Sequence, residues 1–129
     1  MSARIVAAVT ADLQPRLRAI LAGCDLRFVR SGSDLVRALD EGRCELMIVE
    51  VHFDQSAAVA ALACVVARRD TFPVVCVRAV RLAGRSHAVL DALRIALGAV
   101  VARQLVDLVE HRDDEAGNAC VRTMLEQLM

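Results

Sequence analysis

The stretch Val29–Glu50, VRSGSDLVRALDEGRCELMIVE, carries a cap, a helix and a buried strand in immediate succession. Ser31-Gly32-Ser33 reads as a loop and cap, since a hydroxyl at a helix start can accept from an otherwise unpaired backbone N–H. Leu35, Ala38 and Leu39 follow at helical spacing, and Gly42 ends the helix. Leu46–Val49 (LMIV) is apolar at every position, the pattern of a strand covered on both faces. That run closes on a charge, Glu50.

The same two patterns alternate outward from this stretch. Upstream, Arg4–Val9 (RIVAAV) is another continuous apolar strand. Asp12 is then placed to cap a helix with Pro15 in its first turn, where a missing N–H costs nothing. Leu13, Leu17, Ile20 and Leu21 give this helix its inner face, Gly23 stops it, and Leu26–Val29 is a second strand. Downstream, Val59, Leu62 and Val66 mark a helix, Phe72-Pro73 breaks the chain, and Val74–Val77 (VVCV) is a buried strand. Val89, Leu93 and Leu97 mark a further helix halted near Gly98, and Val100-Val101 begin a fifth strand. Leu105–Val109 fits either more strand or an extra helical turn. Val121, Met124, Leu125 and Leu128 form a closing helix whose acidic first turn is Asp113-Asp114-Glu115, as the helix dipole favours.

Buried strands alternating with helices predict an α/β fold with a doubly wound parallel sheet. In such sheets the functional crevice lies outside the carboxyl ends of the strands. The positions of interest are therefore Val9–Asp12, Glu50–Asp54 and Val77–Val80.

A length of 129 residues predicts one domain spanning 1–129, and 57% hydrophobic residues beside 25% charged ones predict a globular chain. Sixteen basic residues balance sixteen acidic ones, so no bulk field draws nucleic acid or an anionic membrane. All the basic residues are arginine; there is no lysine. The five cysteines, Cys24, Cys44, Cys64, Cys76 and Cys120, include no CxxC pair and read as small buried hydrophobes rather than metal ligands. Reduced thiols, a poor secretory signal in MSARIVAAVTAD and no apolar run near the ~20 residues of a membrane span predict a cytoplasmic protein.

VRSGSDLVRALDEGRCELMIVE, FPVVCVRA and LGAVV, in this order and spacing, resemble the receiver domain of bacterial response regulators over nearly the whole chain. The resemblance implies a CheY-like, flavodoxin-like fold: a five-stranded parallel sheet of order 2-1-3-4-5 with helices on both faces. It also implies a phosphorylation site needing five groups. These are two acids after the first strand, an acceptor Asp ending the third, a hydroxyl after the fourth and a Lys after the fifth. The acids would hold Mg²⁺, and the hydroxyl and Lys would bind phosphoryl oxygens. Here Val9 and Thr10 replace the acids, Glu50 the acceptor and Arg78 the hydroxyl, and no residue can supply the Lys. Asp12 lies near the missing acids but is assigned to the helix cap. The resemblance thus implies a degenerate acceptor position at Glu50, flanked by Val9, Thr10, Asp12 and Arg78, with no catalytic residue, metal or cofactor.

Glu50 admits three roles: a fixed mimic of the phosphorylated acceptor, an ion pair with Arg78, or a solvated strand-end carboxylate. The ion pair would explain two departures from the family at once. His52 lies near the pocket rim without a nucleophile or orienting partner, and His87 and His111 read as surface positions. Arg81 and Arg85 flank a loop at the carboxyl end of the sheet. No GxGxxG or P-loop is present, so nucleotide binding lacks its usual signature.

The function expected from these readings is a non-phosphorylatable pseudo-receiver. It would act in signal transduction by binding a protein partner, or as a homodimer through the Val100–Met129 region. The alternatives are an atypical receiver accepting phosphate on Glu50 or Asp54, and a flavodoxin-like domain binding a small ligand. The helical pattern at TMLEQLM suits a free-standing domain and the amino-terminal domain of a longer regulator equally.

Overall fold

A computed structural model describes residues 3–50, 73–78 and 102–129. Five strands, β1 (Arg4–Ala8), β2 (Asp25–Val29), β3 (Leu46–Glu50), β4 (Val74–Arg78) and β5 (Ala102–Asp107), form one sheet of order β2-β1-β3-β4-β5. Every neighbouring pair is parallel. Three helices are described: α1 (Gln14–Ile20), α2 (Gly32–Asp40) and α3 (Glu115–Glu126).

The apolar strands are buried because both faces of the sheet are covered. Ile5 and Ala7 of β1 join Leu46 and Ile48 of β3 in a core with Leu17 and Ile20 of α1 and Val121 and Leu125 of α3. The intervening residues Val6, Ala8, Met47 and Val49 are also fully buried, as are Leu35 and Ala38 of α2, which packs on β1 and β2. Side chains alternate across a strand, so consecutive residues serve opposite layers. The edge strand β2 alternates exposed and half-buried residues. The Arg18 guanidinium lies 5.1 Å from the Phe28 ring centroid at this edge.

Helix boundaries follow local chemistry. Ser31 caps α2 by accepting from the Asp34 N–H at 3.2 Å, and the Asp34 carboxylate accepts from the N–H of Arg30, the residue before the cap, at 3.3 Å. Asp114 caps α3 by accepting from the Gly117 N–H at 2.7 Å. Past the end of α1, Gly23 adopts φ +90°, a left-handed conformation costly for other residues.

Asp12 does not cap α1. The chain after β1 makes a 3-10 turn over Ala11–Leu13, Asp12 lies exposed within it, and α1 begins at Gln14 without a side-chain cap. The residue at the cap position of the turn is Thr10, whose hydroxyl is turned to Glu50 instead. The segment Leu105–Val109 realises both of its expected forms: strand to Asp107, then a 3-10 turn over Leu108–Glu110. Opposite Val74 and Val75, β5 presents Ala102 and Gln104, so Arg103 is an extra residue in the register. Not every cysteine is buried: Cys44 is, Cys24 is half-buried and Cys120 is exposed. The inward stripe of α3 runs through Val121 and Leu125, and Cys120 sits one residue off it.

Three arginines tie the helices down through backbone carbonyls. Arg16 of α1 donates to the carbonyls of Leu108 at 3.1 Å and His111 at 2.7 Å, and to the Asn118 side chain at 3.2 Å. Arg122 of α3 donates to the Ala22 carbonyl at 2.9 Å, beyond the end of α1. Its hydrogen bond to Glu126 holds the guanidinium pKa above its ordinary value. Arg4 donates to the Ala38 carbonyl at 2.9 Å in the last turn of α2. The predicted helices on Val59–Val66 and Val89–Leu97, and Val100-Val101, lie outside the described residues.

Candidate functional site

The carboxyl ends of β1 and β3 lie side by side because Ala8 and Val49 are register partners. The next residue on β3 is Glu50, and two residues on from Ala8 the chain reaches Thr10. Glu50 is 2% exposed and is the sole buried charged residue among the described ones. A buried carboxylate is tolerated only when hydrogen bonds replace its lost water. Thr10 supplies them. Its backbone N–H donates to Glu50 Oε1 at 3.2 Å. Its hydroxyl lies 2.9 Å from Oε1 and 3.1 Å from Oε2, so one proton is shared between both oxygens.

This placement removes one expected role. Glu50 is not a solvated strand-end carboxylate, because the strands and the turn after β1 enclose it. The ion pair with Arg78 involves a side chain outside the described residues. Along the strands, Glu50 has Val77 as its β4 register partner, while Arg78 has Asp107 of β5. Sequence reading singled out both Thr10 and Glu50 but missed the bond between them. The available signal was that a hydroxyl residue follows β1 where the adjacent strand ends in a carboxylate.

The other flanking residues separate in function. Val9 is buried and belongs to the core with Ile5 and Ala7. Asp12 points to solvent from the 3-10 turn. His111 is half-buried, and its carbonyl is held by Arg16. His52, His87, Asp54, Arg81 and Arg85 lie outside the described residues.

A hard divalent cation such as Mg²⁺ takes several oxygen ligands in octahedral geometry. The described residues do not fit it. Val9 has no side-chain oxygen to give, the Thr10 hydroxyl is committed to Glu50, and no group of three His, Cys, Asp or Glu is gathered among the described residues. What the pair does is mechanical. Contacts across 40 residues of sequence fasten the turn after β1 to the end of β3.

A doubly wound parallel sheet of order 2-1-3-4-5 is the flavodoxin-like topology that receiver domains share, and the solved structures it resembles have the receiver fold. The chain is similar to the signal receiver domain of an HD domain-containing protein from Pseudomonas fluorescens, with TM-score 0.70 and 14% identity over 99% of this chain and 94% of that one. The chemotaxis protein CheY4 of Vibrio cholerae superposes with TM-score 0.69 and 12% identity, covering 100% of both chains. The response regulator TrrA of Thermotoga maritima, solved in complex with Mg²⁺ and BeF, superposes with TM-score 0.69 and 13% identity, again over 100% of both chains. No protein-family model and no curated protein sequence matches the chain. No helix among the described residues is long and apolar enough to cross a membrane.

Proposed function

We propose that the chain is a pseudo-receiver: a cytoplasmic module that keeps the receiver scaffold, lacks the phosphorylation switch, and signals by binding protein. The observation that carries this reading is the Glu50–Thr10 bond. An acceptor carboxylate attacks phosphorus with a free oxygen lone pair and needs a cation to screen the incoming charge. Both Glu50 oxygens face the Thr10 hydroxyl, and the acids that would hold a metal beside them are replaced by Val9 and Thr10. The chain also contains no lysine to meet a phosphoryl group. The Thr10–Glu50 strut holds the strand ends in one arrangement, where a receiver would alternate between two.

The test is incubation with acetyl phosphate and Mg²⁺ followed by intact-mass analysis at low pH, beside a receiver with an acceptor Asp as positive control. The expected result is no phosphoryl adduct on this chain and a clear one on the control. An adduct mapped to Glu50 or Asp54 would overturn the reading.

A further inference from the structure

Outside the strand-end site, α1 and α3 border a groove of about 460 Å³. Its floor is small: Ala19 from α1 and Ala119 from α3 are both exposed there. Its two ends carry opposite charge. Asp114 and Glu115 stand at the amino end of α3, and Arg122 stands at the other. Glu115 and Arg122 are seven residues apart, two turns of helix, which puts them on one face about 10 Å apart.

Arg122 is already ordered for an interface. Its Nε is bound to Glu126 at 2.7 Å and its Nη1 to the Ala22 carbonyl at 2.9 Å, so little side-chain freedom remains to be lost. Nη2 makes no bond among the described residues. Glu115 is exposed and likewise has no partner among them.

We propose that this groove is a self-association surface, closed by α3 of a second copy lying antiparallel across a two-fold axis near Ala119. The proposal rests on the interaction-module reading and names its partner. An acid at one end and a base at the other, with alanine between, is self-complementary in the antiparallel sense. Glu115 of each copy meets Arg122 of the other, and both pairs form at once, as an isologous interface requires. A peptide of a single charge sign would satisfy one end and be repelled by the other. The small residues at the axis let the two helices approach to the short end of the usual 8–10 Å spacing. A surface of one helix face and its groove is small, so the dissociation constant is expected on the order of 10–100 µM.

Sedimentation equilibrium of the full chain tests this, from the low micromolar range to about ten times the upper end of that expected dissociation constant. Wild type is expected to show a monomer–dimer equilibrium that weakens as salt is raised. Glu115→Arg should weaken it at least tenfold, and so should Ala119→Arg, which fills the floor. Mixing Glu115→Arg with Arg122→Glu should restore a heterodimer, because each copy then presents the charge the other lacks. Arg122→Glu also loses the bond to Ala22, so thermal melting is recorded first, and Ala119→Arg decides the matter if that variant is unfolded. A wild type that stays monomeric throughout overturns the proposal, as does a dimer whose dissociation constant neither Glu115→Arg nor Ala119→Arg changes. Either result is separable from the pseudo-receiver reading, whose failure would appear as phosphoryl uptake.

Discussion

Replacing Thr10 with valine keeps the β-branched shape and removes only the hydroxyl that bridges the two Glu50 oxygens. The carboxylate would retain the Thr10 N–H at 3.2 Å and lose the single hydroxyl donor that lies 2.9 and 3.1 Å from its two oxygens. A hydrogen bond to a charged group contributes about 1.5–3 kcal/mol, and one left behind buried is not recovered by water. Glu50 is buried, so the expected loss is about 2 kcal/mol. For a domain of this size that corresponds to a fall in Tm of roughly 6–10 °C. Urea unfolding measures it directly, with the midpoint shifting and the slope unchanged. Thr10→Ser, which keeps the hydroxyl, should remain within about 1 kcal/mol of wild type. A double-mutant cycle with Glu50→Gln should show coupling of about 1 kcal/mol or more, since the charge that strengthens the bond is gone. A Thr10→Val protein as stable as wild type would refute the claim that this hydroxyl compensates the buried carboxylate.

Two glycines should respond to alanine for different reasons. Gly117→Ala puts a Cβ into the carbonyl oxygen of Arg112 and should cost about 2 kcal/mol or more, against the usual gain from alanine in a helix. Gly23→Ala meets nothing within 4 Å and should cost only about 1 kcal/mol, from the left-handed backbone alone; thermal melts of the two variants should rank them in that order. Arg16→Met keeps the apolar stem but strips hydrogen bonds from the Leu108 and His111 carbonyls and from Asn118. It should cost about 2–3 kcal/mol and speed amide exchange selectively between β5 and α3, and uniform exchange would count against a local role.

The strands were legible from sequence because burial on both faces leaves no room for a polar residue. LMIV and VVCV, short runs bounded by Gly42 and Pro73 upstream, read as central strands, and Leu46–Val49 and Val74–Val77 lie within β3 and β4. Ser31 and the acidic turn before α3 were legible because a cap acts within three residues of itself. Asp12 shows where this locality fails. It has the chemistry of a cap and sits near a helix start, yet the turn geometry after β1 is governed by Thr10, whose partner is 40 residues away.

What the sequence determined by itself is the layer order of the molecule. Alternation of buried runs and amphipathic helices dictates a parallel sheet with crossovers, and the parallel sheet locates the crevice at Glu50. The sequence also contains no lysine, and it places Val9 and Thr10 directly after the first strand. Only the tertiary structure decided what those residues do. Glu50 is enclosed rather than solvated because β1, β3 and the turn after β1 converge on it. No sequence pattern singled out Arg16 or Arg122, which the fold makes fasteners of carbonyls some 90 to 100 residues distant. Hydrophobic periodicity is a local signal set by the helix and strand repeat. The partner of a polar side chain is set by which chain segments the core draws together, and no local pattern records it.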